Sequence, residues 1–393
     1  MRRAIALLAL LALPARADDW PRWRGADGSG VSREAEWKPQ ALLRPKLVFR
    51  AQLGESIASV AIAGDRLFGI GNQGGQDAVS CLDAKTGKPV WRHVYRSAAG
   101  SFYGPRATPT VHDGRVYTLS RHGLAFCLDQ ATGEVRWQAD LAKLHGAKVG
   151  DYGITGSPLV AGDLVIYNAC SRGVALDRAS GEKRWASAAG VAGFASPVGF
   201  EHEGKPAVAL FTASALSVID PATGEETASF DWKTSFDANA ADPVVFEGKL
   251  FISSGWDKGC ALLKLDGRRL SAVWQSAELR SQIASPVYLD GHLYGIDDNT
   301  PNGQLRCLDA ATGKMKWAQR GGYGNLLAAG GRLLSVDRLG ALVVAEASPA
   351  GYKELARVTV LGRQAKNWIA PVLSGGLLYL RDSDGLLVCL DVR

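Results

Sequence analysis

The sequence predicts an all-β protein, an eight-bladed β-propeller with four antiparallel strands in each blade and a ring closed by the N-terminal strand. Three observations support this prediction. A Leu-Asp turn motif recurs along the chain, a Pro-marked strand entrance recurs with it, and the last copy stops before its fourth strand. Repetition at a fixed period of this kind indicates an array of small sheets rather than one continuous core.

The first observation is a turn in which an acidic residue precedes a Gly and a Trp follows. The Trp stands eight residues after the Asp in the pairs Asp83 and Trp91, Asp129 and Trp137, Asp177 and Trp185, and Asp309 and Trp317. The acidic markers lie at residues 83, 129, 177, 220, 266, 309, 346 and 391, so successive markers are 37 to 48 residues apart. Spacing in this range is typical of four-stranded propeller blades.

The second observation concerns the inner strand of each blade, whose expected first residues are Ser59, Thr108, Ser157, Ser196, Asp242, Ser285, Asn325 and Ala370. Pro follows in five of the first six copies, at a strand entrance where its missing N–H does least harm. A Gly-containing hairpin turn comes next in each copy. Each blade therefore reads as strands A, B, C and D, with Leu-Asp ending strand C and the Trp on strand D.

The third observation is that the last copy ends at Arg393 without a strand D. Residues 46–50 resemble residues 89–92, which belong to a strand D. We therefore expect residues 46–53 to pair beside residues 386–391, which closes the ring and removes an open edge. The Trp residues at 91, 137, 185, 274 and 317 are expected to be largely buried between neighbouring blades.

The chain divides into three predicted segments. Residues 1–17 have the basic start, the apolar run and the small-residue cleavage site of a signal peptide, with cleavage near Ala17-Asp18. Residues 18–45 form a Trp- and Arg-rich arm, expected to pack across the propeller wall, and residues 46–393 form the propeller. The mature protein is expected to be soluble and periplasmic or secreted, without a transmembrane segment.

Charge and cysteine usage exclude some functions. The formal charge is +6, and removal of Arg2, Arg3 and Arg16 leaves 42 basic against 39 acidic residues, or +3. That balance argues against nucleic acid as a partner. Four of the six Cys precede the Leu-Asp motif in different blades, so we expect structural thiols rather than disulfides.

The repeated Leu-Asp-x-x-Thr-Gly-x-x-x-Trp motif resembles the pyrroloquinoline quinone (PQQ)-like β-propeller family over residues 46–393. That family includes quinoprotein alcohol dehydrogenases and the propeller component of the outer-membrane β-barrel assembly machinery. The dehydrogenases carry adjacent cysteines over the quinone, and no Cys-Cys occurs here. The assembly component is a lipoprotein, whereas the first Cys of this chain is Cys81, which is far from the apolar leader.

Any ligand site is expected on the face formed by the D–A and B–C connections, because variable loops on a rigid ring carry most binding sites. The candidate residues are polar side chains in these connections, namely Arg106, Arg121, Tyr152, Arg172, Asp237, Asn239, Asp257, Asp297, Lys366 and Asn367. His122 and His145 are candidate acid–base groups, but the sequence shows no catalytic motif around either, and no nucleophile or metal-binding motif appears. Asp297-Asp298-Asn299 lacks the spacing of a calcium loop.

We interpret the chain as a monomeric, non-catalytic binding or scaffolding module for protein partners in the cell envelope, with no cofactor expected. An alternative is a quinoprotein dehydrogenase that uses PQQ with Ca²⁺ to oxidise an alcohol or sugar. A third interpretation is a carbohydrate-recognising propeller. Convergent polar side chains at the channel mouth would favour the dehydrogenase, whereas scattered ones beside an apolar patch would favour protein binding.

Overall fold

The computed structural model describes residues 19–34, 37–97, 104–297, 303–362 and 368–393, with Tyr323 described by its backbone. Three short elements precede the first blade: strand β1 (Val31–Ser32), a 3-10 helix (Pro39–Leu43) and strand β2 (Lys46–Gln52). Within the described ranges, no helix combines the length and the apolar run that crossing a membrane requires.

Blades one to four are four-stranded antiparallel sheets whose strands A to D are consecutive in the chain. Blade one contains β3 (Ala61–Ala63), β4 (Arg66–Gln73), β5 (Gln76–Asp83) and β6 (Pro89–Arg96). Blade two contains β7 (Thr110–His112), β8 (Arg115–Leu119), β9 (Leu124–Asp129) and β10 (Val135–Asp140), followed by helix α1 (Leu141–His145) and β11 (Ala147–Lys148). Blade three contains β12 (Leu159–Ala161), β13 (Leu164–Tyr167), β14 (Val174–Asp177) and β15 (Lys183–Ala186), followed by β16 (Gly190–Val191). Blade four contains β17 (Val198–His202), β18 (Lys205–Phe211), β19 (Ala215–Ile219) and β20 (Glu226–Asp231).

Blades five to eight continue the same order. Blade five contains β21 (Val244–Phe246), β22 (Lys249–Ser254), β23 (Gly259–Asp266) and β24 (Arg269–Ser276), and blade six contains β25 (Val287–Leu289), β26 (His292–Asp297), β27 (Gln304–Asp309) and β28 (Met315–Arg320). Blade seven contains β29 (Tyr323–Ala329), β30 (Arg332–Asp337), β31 (Ala341–Glu346) and β32 (Glu354–Thr359). Blade eight contains β33 (Val372–Ser374), β34 (Leu377–Arg381) and β35 (Leu386–Asp391).

The N-terminal strand closes the ring. Strand β2 pairs antiparallel with β35, with Lys46 opposite Asp391 and Gln52 opposite Leu386. Blade eight thereby gains its strand D from the start of the chain, which confirms the predicted eight-bladed fold and its closure. Blade eight contains strands from both ends of the chain. Closure of the ring therefore requires pairing between residues about 340 positions apart.

Neighbouring blades are locked by the Trp of strand D. The Trp91, Trp137, Trp185, Trp274 and Trp317 indole N–H groups each donate to a carbonyl in the C–D turn region of the next blade, at 2.8–3.1 Å. Trp137 and Trp185 are buried as predicted, at 7% and 8% exposure. Trp91, Trp274 and Trp317 are only partly buried, so the prediction of burial holds fully for two of the five.

The Gly of the C–D turn packs against the aromatic ring on strand D of the preceding blade, which is Phe49 for Gly87 of blade one and a Trp for blades two, three, four and six. Gly181 has φ of +77°, and a Cβ there would lie 2.7 Å from the Trp137 ring. Gly133, Gly224 and Gly313 stand in the same relation to Trp91, Trp185 and Trp274. The residues of the Leu-Asp turn motif therefore form contacts between neighbouring blades as well as the turn within one blade.

The Asp of each motif sets the C–D turn. Asp309 Oδ1 accepts hydrogen bonds from the Thr312 backbone N–H at 2.9 Å and from the Thr312 hydroxyl at 2.8 Å. These bonds stabilise the carboxylate and lower the pKa of Asp309. Asp83, Asp129 and Asp177 accept equivalent bonds in blades one to three.

The inner strands are joined by a series of hydrogen bonds that runs around the channel from blade one to blade eight, which we call the inner hydrogen-bond ring. In blades one to six the residue two positions before strand A donates its backbone N–H to the side chain of its counterpart in the next blade, in the order Ser59, Thr108, Ser157, Ser196, Asp242 and Ser285, and the last of these bonds is accepted by Asn325 of β29. Asn325 then donates to the Trp368 carbonyl, and the Ser59 hydroxyl donates to the Ala370 carbonyl. Short polar residues recur here because each must accept a bond from its neighbour.

All six cysteines are buried and unpaired. Burial raises the pKa of Cys127 to about 11 and of Cys81 to about 12, which keeps these side chains as thiols. Five of them occupy separate strands, Cys170 lies in the connection between β13 and β14, and all six act as small apolar core residues.

Candidate functional site

The two faces of the propeller differ in construction. The A–B and C–D turns lie together on one face, which we call the turn face. The D–A and B–C connections lie on the opposite face, which we call the mouth face. The connections on the mouth face include α1 and the parallel pair β11 and β16, which links the connections after blades two and three.

The first part of the N-terminal arm, residues 20–32, crosses the turn-face end of the central channel, whereas its 3-10 helix packs against the outer strand β32 of blade seven. Trp20 forms a bridge with Ile62 of blade one, and β1 pairs in parallel with β29 on the channel side of blade seven. Between these points, Arg24 donates to the carbonyls of Ser285 and Pro286 at 3.0 and 2.6 Å. The predicted wall packing therefore holds for residues 39–43, whereas residues 20–32 lie at the channel because Trp23 and Arg24 donate hydrogen bonds to a carboxylate and to carbonyls there.

Trp23 is the deepest side chain of the arm. Its indole N–H donates to Asp242 Oδ2 at 2.6 Å, while Asp242 Oδ1 accepts the Ser196 N–H of the inner hydrogen-bond ring. Burial raises the pKa of Asp242, and the charge of Arg24 and these hydrogen bonds oppose that rise. Burial also lowers the pKa of Arg24 to about 10. Trp23 therefore separates the channel from the turn face.

Above Trp23 a cavity of about 290 Å³ opens toward the mouth face. Its wall includes residues from all eight blades. Five aromatic side chains line it, namely Trp23, Tyr152, Phe194, Trp256 and Trp368. Arg106 is the one cation among the described lining residues, and Asp242 is their one carboxylate. The cavity is therefore a blind, largely aromatic pocket with a single positive charge near its opening.

Three of the predicted site residues come together at this opening. Arg106 and Tyr152 line the cavity, and Arg121 lies beside them, buried, with its guanidinium donating to the Asp151 carbonyl at 3.1 Å. Burial, reinforced by the charge of Arg121, lowers the pKa of Arg106 to about 10. The Tyr152 ring contacts the Phe194 ring edge-on at 5.7 Å.

Three other predicted residues lie outside the cavity lining. Arg172 forms an ion pair with Glu226 at 3.0 Å, and Asp237 is exposed with Lys233 as a 3.9 Å partner. Asn239 is fully buried: its amide nitrogen donates to the Thr212 and Trp232 carbonyls, and its oxygen accepts from Ser254. These contacts give Asn239 a role in holding loops rather than in meeting a ligand.

Asp257 and Asp297 belong to an ion-pair network on blades five and six. Arg280 bridges Asp257 at 2.7 Å and Asp297 at 2.9 Å, and Arg306 contacts Asp297 at 3.0 Å. The Asp297 carboxylate is buried and paired, so it is not an open calcium ligand. Among the described residues no three His, Cys, Asp or Glu side chains converge as a metal site requires. Lys366, Asn367, Asp298 and Asn299 lie outside the described residues.

A feature that the sequence analysis missed is an apolar rim on the mouth face. Its exposed members come from three consecutive D–A connections and are Leu144, Val149, Tyr152, Val191 and Phe236. The pairing of β11 with β16 joins the first two connections, and the Phe194 N–H donates to the Asn239 carbonyl of the third. Phe236, 67% exposed, contacts the Trp256 ring at 5.8 Å. Apolar residues inside otherwise polar loops were the available signal.

The geometry defines a PQQ-like eight-bladed propeller with one end of its channel closed by its own arm. A family model described as outer membrane protein assembly factor BamB matches residues 75–319, more than half of the chain, and the protein belongs to this family.

Individual relatives agree with this assignment. The BamB protein of Yersinia pestis is 24% identical over 323 residues, which cover 76% of this chain and 77% of the relative. Among solved structures, BamB from Moraxella catarrhalis has a TM-score of 0.68 at 19% identity, covering 88% of this chain and 99% of that one. Quinohemoprotein alcohol dehydrogenase from Comamonas testosteroni has a TM-score of 0.73 at 15% identity, covering 96% and 81%. At these identities the structural likeness shows the fold alone.

Proposed function

We propose that the protein is an exported, non-catalytic binding module that holds a segment of a partner protein in the cell envelope. The segment binds at the mouth face, with an apolar side chain in the aromatic cavity and further contacts along the rim. Export follows from the predicted signal peptide at residues 1–17. The proposal assigns the ring to support and the three consecutive D–A connections to recognition.

The observation that carries this proposal is the contrast between the polar and the apolar side chains of the mouth face. Most of the described polar candidates are scattered or held by internal partners, as Asn239, Asp297 and Arg172 are. The apolar rim is exposed and continuous with the cavity. Aromatic side chains beside a concave pocket are the usual anchors of protein recognition.

Family membership supports a protein partner. The relatives are described as outer membrane protein assembly factors, a description that implies contact with other envelope proteins. For this chain the partner is identified only by its chemistry: a segment with an aromatic or aliphatic anchor, flanked by a group that tolerates the positive charge of Arg106.

PQQ fits the cavity poorly. The cavity volume of about 290 Å³ is at the lower end of the range of ~300–1,000 Å³ that is usual for ligand pockets. A polycarboxylate such as PQQ would meet one cation, Arg106, and the carboxylate of Asp242 among the described lining residues. The adjacent cysteines that the family resemblance implies for a quinone cover are absent, and all six cysteines are buried in the blades.

The first experiment places a photo-crosslinking amino acid at Phe236 in the full chain, with a matched position at Val273. Both side chains are exposed, at 67% and 50%, but Val273 lies on the outer strand β24, away from the mouth. We expect a discrete adduct with an envelope protein from position 236 only. Equal adducts from both positions would contradict a mouth-face site.

The second experiment measures affinity for that partner once it is purified. Changing Phe236 and Tyr152 together to Ser should weaken binding at least tenfold, about 1.4 kcal/mol, whereas Val273→Ser should leave it unchanged. Unchanged affinity in the double variant would refute the proposed surface.

The third experiment measures the melting temperature of the wild-type protein with and without PQQ and Ca²⁺. We expect no rise in melting temperature, although a ligand at 100 times its Kd would add about 2.7 kcal/mol. A rise that Arg106→Ala abolishes would favour the quinoprotein alternative.

A further inference from the structure

The outer edge of blade one is a long strand that carries two exposed arginines. Strand β6 is the last strand of the sheet order β3-β4-β5-β6, so on one side of its backbone no strand of the described residues pairs with it. With eight residues, it is as long as any strand D of the ring. A long edge strand offers a row of N–H and C=O groups to any chain that can lie beside it.

The two faces of β6 have separate tasks. Trp91, His93 and Tyr95 point toward blade two, where the His93 and Tyr95 rings contact Phe126 at 5.0 and 4.7 Å. Val90, Arg92, Val94 and Arg96 alternate with them and are all exposed. Side chains on one face of a strand are two residues apart in the chain. The exposed face therefore presents Val90, Arg92, Val94 and Arg96 in a row.

The arginines of β6 are placed where no carboxylate faces them. In blades two and three the residue just before the Trp is an Arg that pairs with the turn aspartate, Arg136 with Asp129 at 2.6 Å and Arg184 with Asp177 at 3.1 Å. In blade one that position is Val90, and the arginines of the strand are residues 92 and 96 instead.

The strand register shows what lies across from these two cations. Arg92 is opposite Ser80, Val94 is opposite Ala78 and Arg96 is opposite Gln76 on β5, so all three neighbours are neutral. Neither Arg92 nor Arg96 forms an ion pair with any residue that the structure describes. Two exposed guanidinium groups thus stand on one strand face, separated by an exposed Val.

Charged side chains on an edge strand commonly prevent unwanted pairing. The effect of these charges is selective, because a row of cations disfavours pairing with an uncharged or basic strand but favours pairing with an acidic strand. We propose that β6 is a docking edge for an extended segment of a partner protein in which acidic and apolar residues alternate at every second position, so that both kinds lie on one face of the added strand. The segment adds a fifth strand to blade one, with its carboxylates on Arg92 and Arg96 and its apolar residues on Val90 and Val94.

This surface is independent of the mouth face, so either proposal can fail without the other. The probe is a fluorescein-labelled octapeptide with blocked ends and the sequence Val-Thr-Glu-Thr-Val-Thr-Glu-Thr, which places its Val and Glu side chains on one strand face, and binding is followed by fluorescence anisotropy at low salt. A second peptide has the same sequence but carries N-methyl groups on its four central backbone nitrogens. It keeps every charge but loses backbone donors along both of its edges.

We expect the first peptide to bind, with affinity that falls as salt rises, and the methylated peptide to bind at least tenfold more weakly. The variant with Arg92→Glu and Arg96→Glu should also bind the first peptide at least tenfold more weakly. The matched control is Lys316→Glu with Arg320→Glu on β28, another outer strand with two exposed cations. That variant should bind as the wild type does.

Three results would overturn the proposal. No binding to the wild type, or equal binding by the charge-reversed β6 variant, would remove the docking edge. Equal binding of the methylated peptide would mean that charge alone holds the peptide, without strand addition. Equal loss in the β28 variant would mean that the peptide senses only net charge. Melting curves of both variants check that these exposed substitutions leave the ring folded.

Discussion

The turn face and the mouth face are built from the same eight blades, but their side chains are used in opposite ways. On the turn face nearly every motif residue meets a partner of the next blade: Trp137 reaches the turn of Gly181, and the arm reaches Asp242. On the mouth face, Phe236, Leu144 and Val191 point into solvent. One face therefore holds the ring together, and the other leaves apolar surface available.

This difference teaches where stability and recognition lie in a propeller. Contacts that repeat around the ring are needed by every blade, so the residues that make them recur with the repeat. Loops that do not pack against the next blade are free of that demand and can differ from one blade to another. Changes on the turn face should therefore reduce stability, and changes on the mouth rim should reduce binding while leaving the melting temperature nearly unchanged.

The largest expected effect comes from removing the closing strand. Deletion of residues 18–53 removes the arm and β2, leaves β35 with an open edge and should abolish cooperative unfolding in thermal melts. A chain that lacks only residues 18–45 keeps β2 and should still melt cooperatively, at a lower temperature. If the longer deletion melted like the full chain, ring closure would not be the source of cooperativity.

The next prediction separates packing from backbone conformation on the turn face. Gly181 and Gly291 both have φ of +77°, but a Cβ on Gly181 would lie 2.7 Å from the Trp137 ring, whereas nothing lies within 4 Å of a Cβ on Gly291. Both Ala variants should lose ~1–2 kcal/mol from the left-handed conformation. Gly181→Ala should lose a further ~1–3 kcal/mol from overpacking. Urea unfolding measures both losses, and equal values would remove the proposed blade lock.

The sequence could predict the repeated part of this molecule in detail because each repeated residue has a local reason. The Asp of each C–D turn and the Pro at each strand entrance are determined by hydrogen bonding and φ within a few residues. The closure by β2 was also predictable, since one strand was missing at the end of the chain. The packing of Trp137 on Gly181 could not be predicted in this way, because the two residues belong to different blades.

The candidate site was predicted less well for the same physical reason. Arg106, Arg121 and Tyr152 do meet at the mouth, but Asn239 and Asp297 are held by partners distant in sequence. A polar residue in a loop looks the same in sequence whether it faces a ligand or a neighbouring carbonyl. The path of the arm through the channel, with Trp23 on Asp242, likewise depends on contacts more than 200 residues apart.

A smaller loss is expected from changing the side chain that closes the channel. Trp23→Phe keeps an aromatic ring but removes the donor to Asp242 Oδ2, leaving that buried oxygen without the 2.6 Å bond. The loss should be ~1–3 kcal/mol in the free energy of unfolding, the usual effect of leaving a buried polar group unsatisfied. Trp37→Phe provides a control within the arm, since it also removes a buried indole. A similar loss in both variants would mean that the bond to Asp242 has no special role.

The smallest expected effect is a pH dependence that originates in the C–D turns. The hydrogen bonds from Thr312 hold the pKa of Asp309 below its ordinary value of 3.8, so the unfolded chain binds this proton more tightly than the folded protein does. The stabilisation is therefore complete above pH ~4 and is lost as the pH falls through the lower, folded-state pKa. Asp309→Asn keeps the acceptor oxygen but cannot titrate, so its melting temperature should fall less steeply below pH 4 than that of the wild type. Thr312→Val removes the hydroxyl donor and should lessen the acid dependence in part, because the carboxylate keeps only its backbone bonds. Melting curves that stay parallel for all three proteins between pH 2.5 and 6 would mean that this turn carboxylate does not couple folding to protonation.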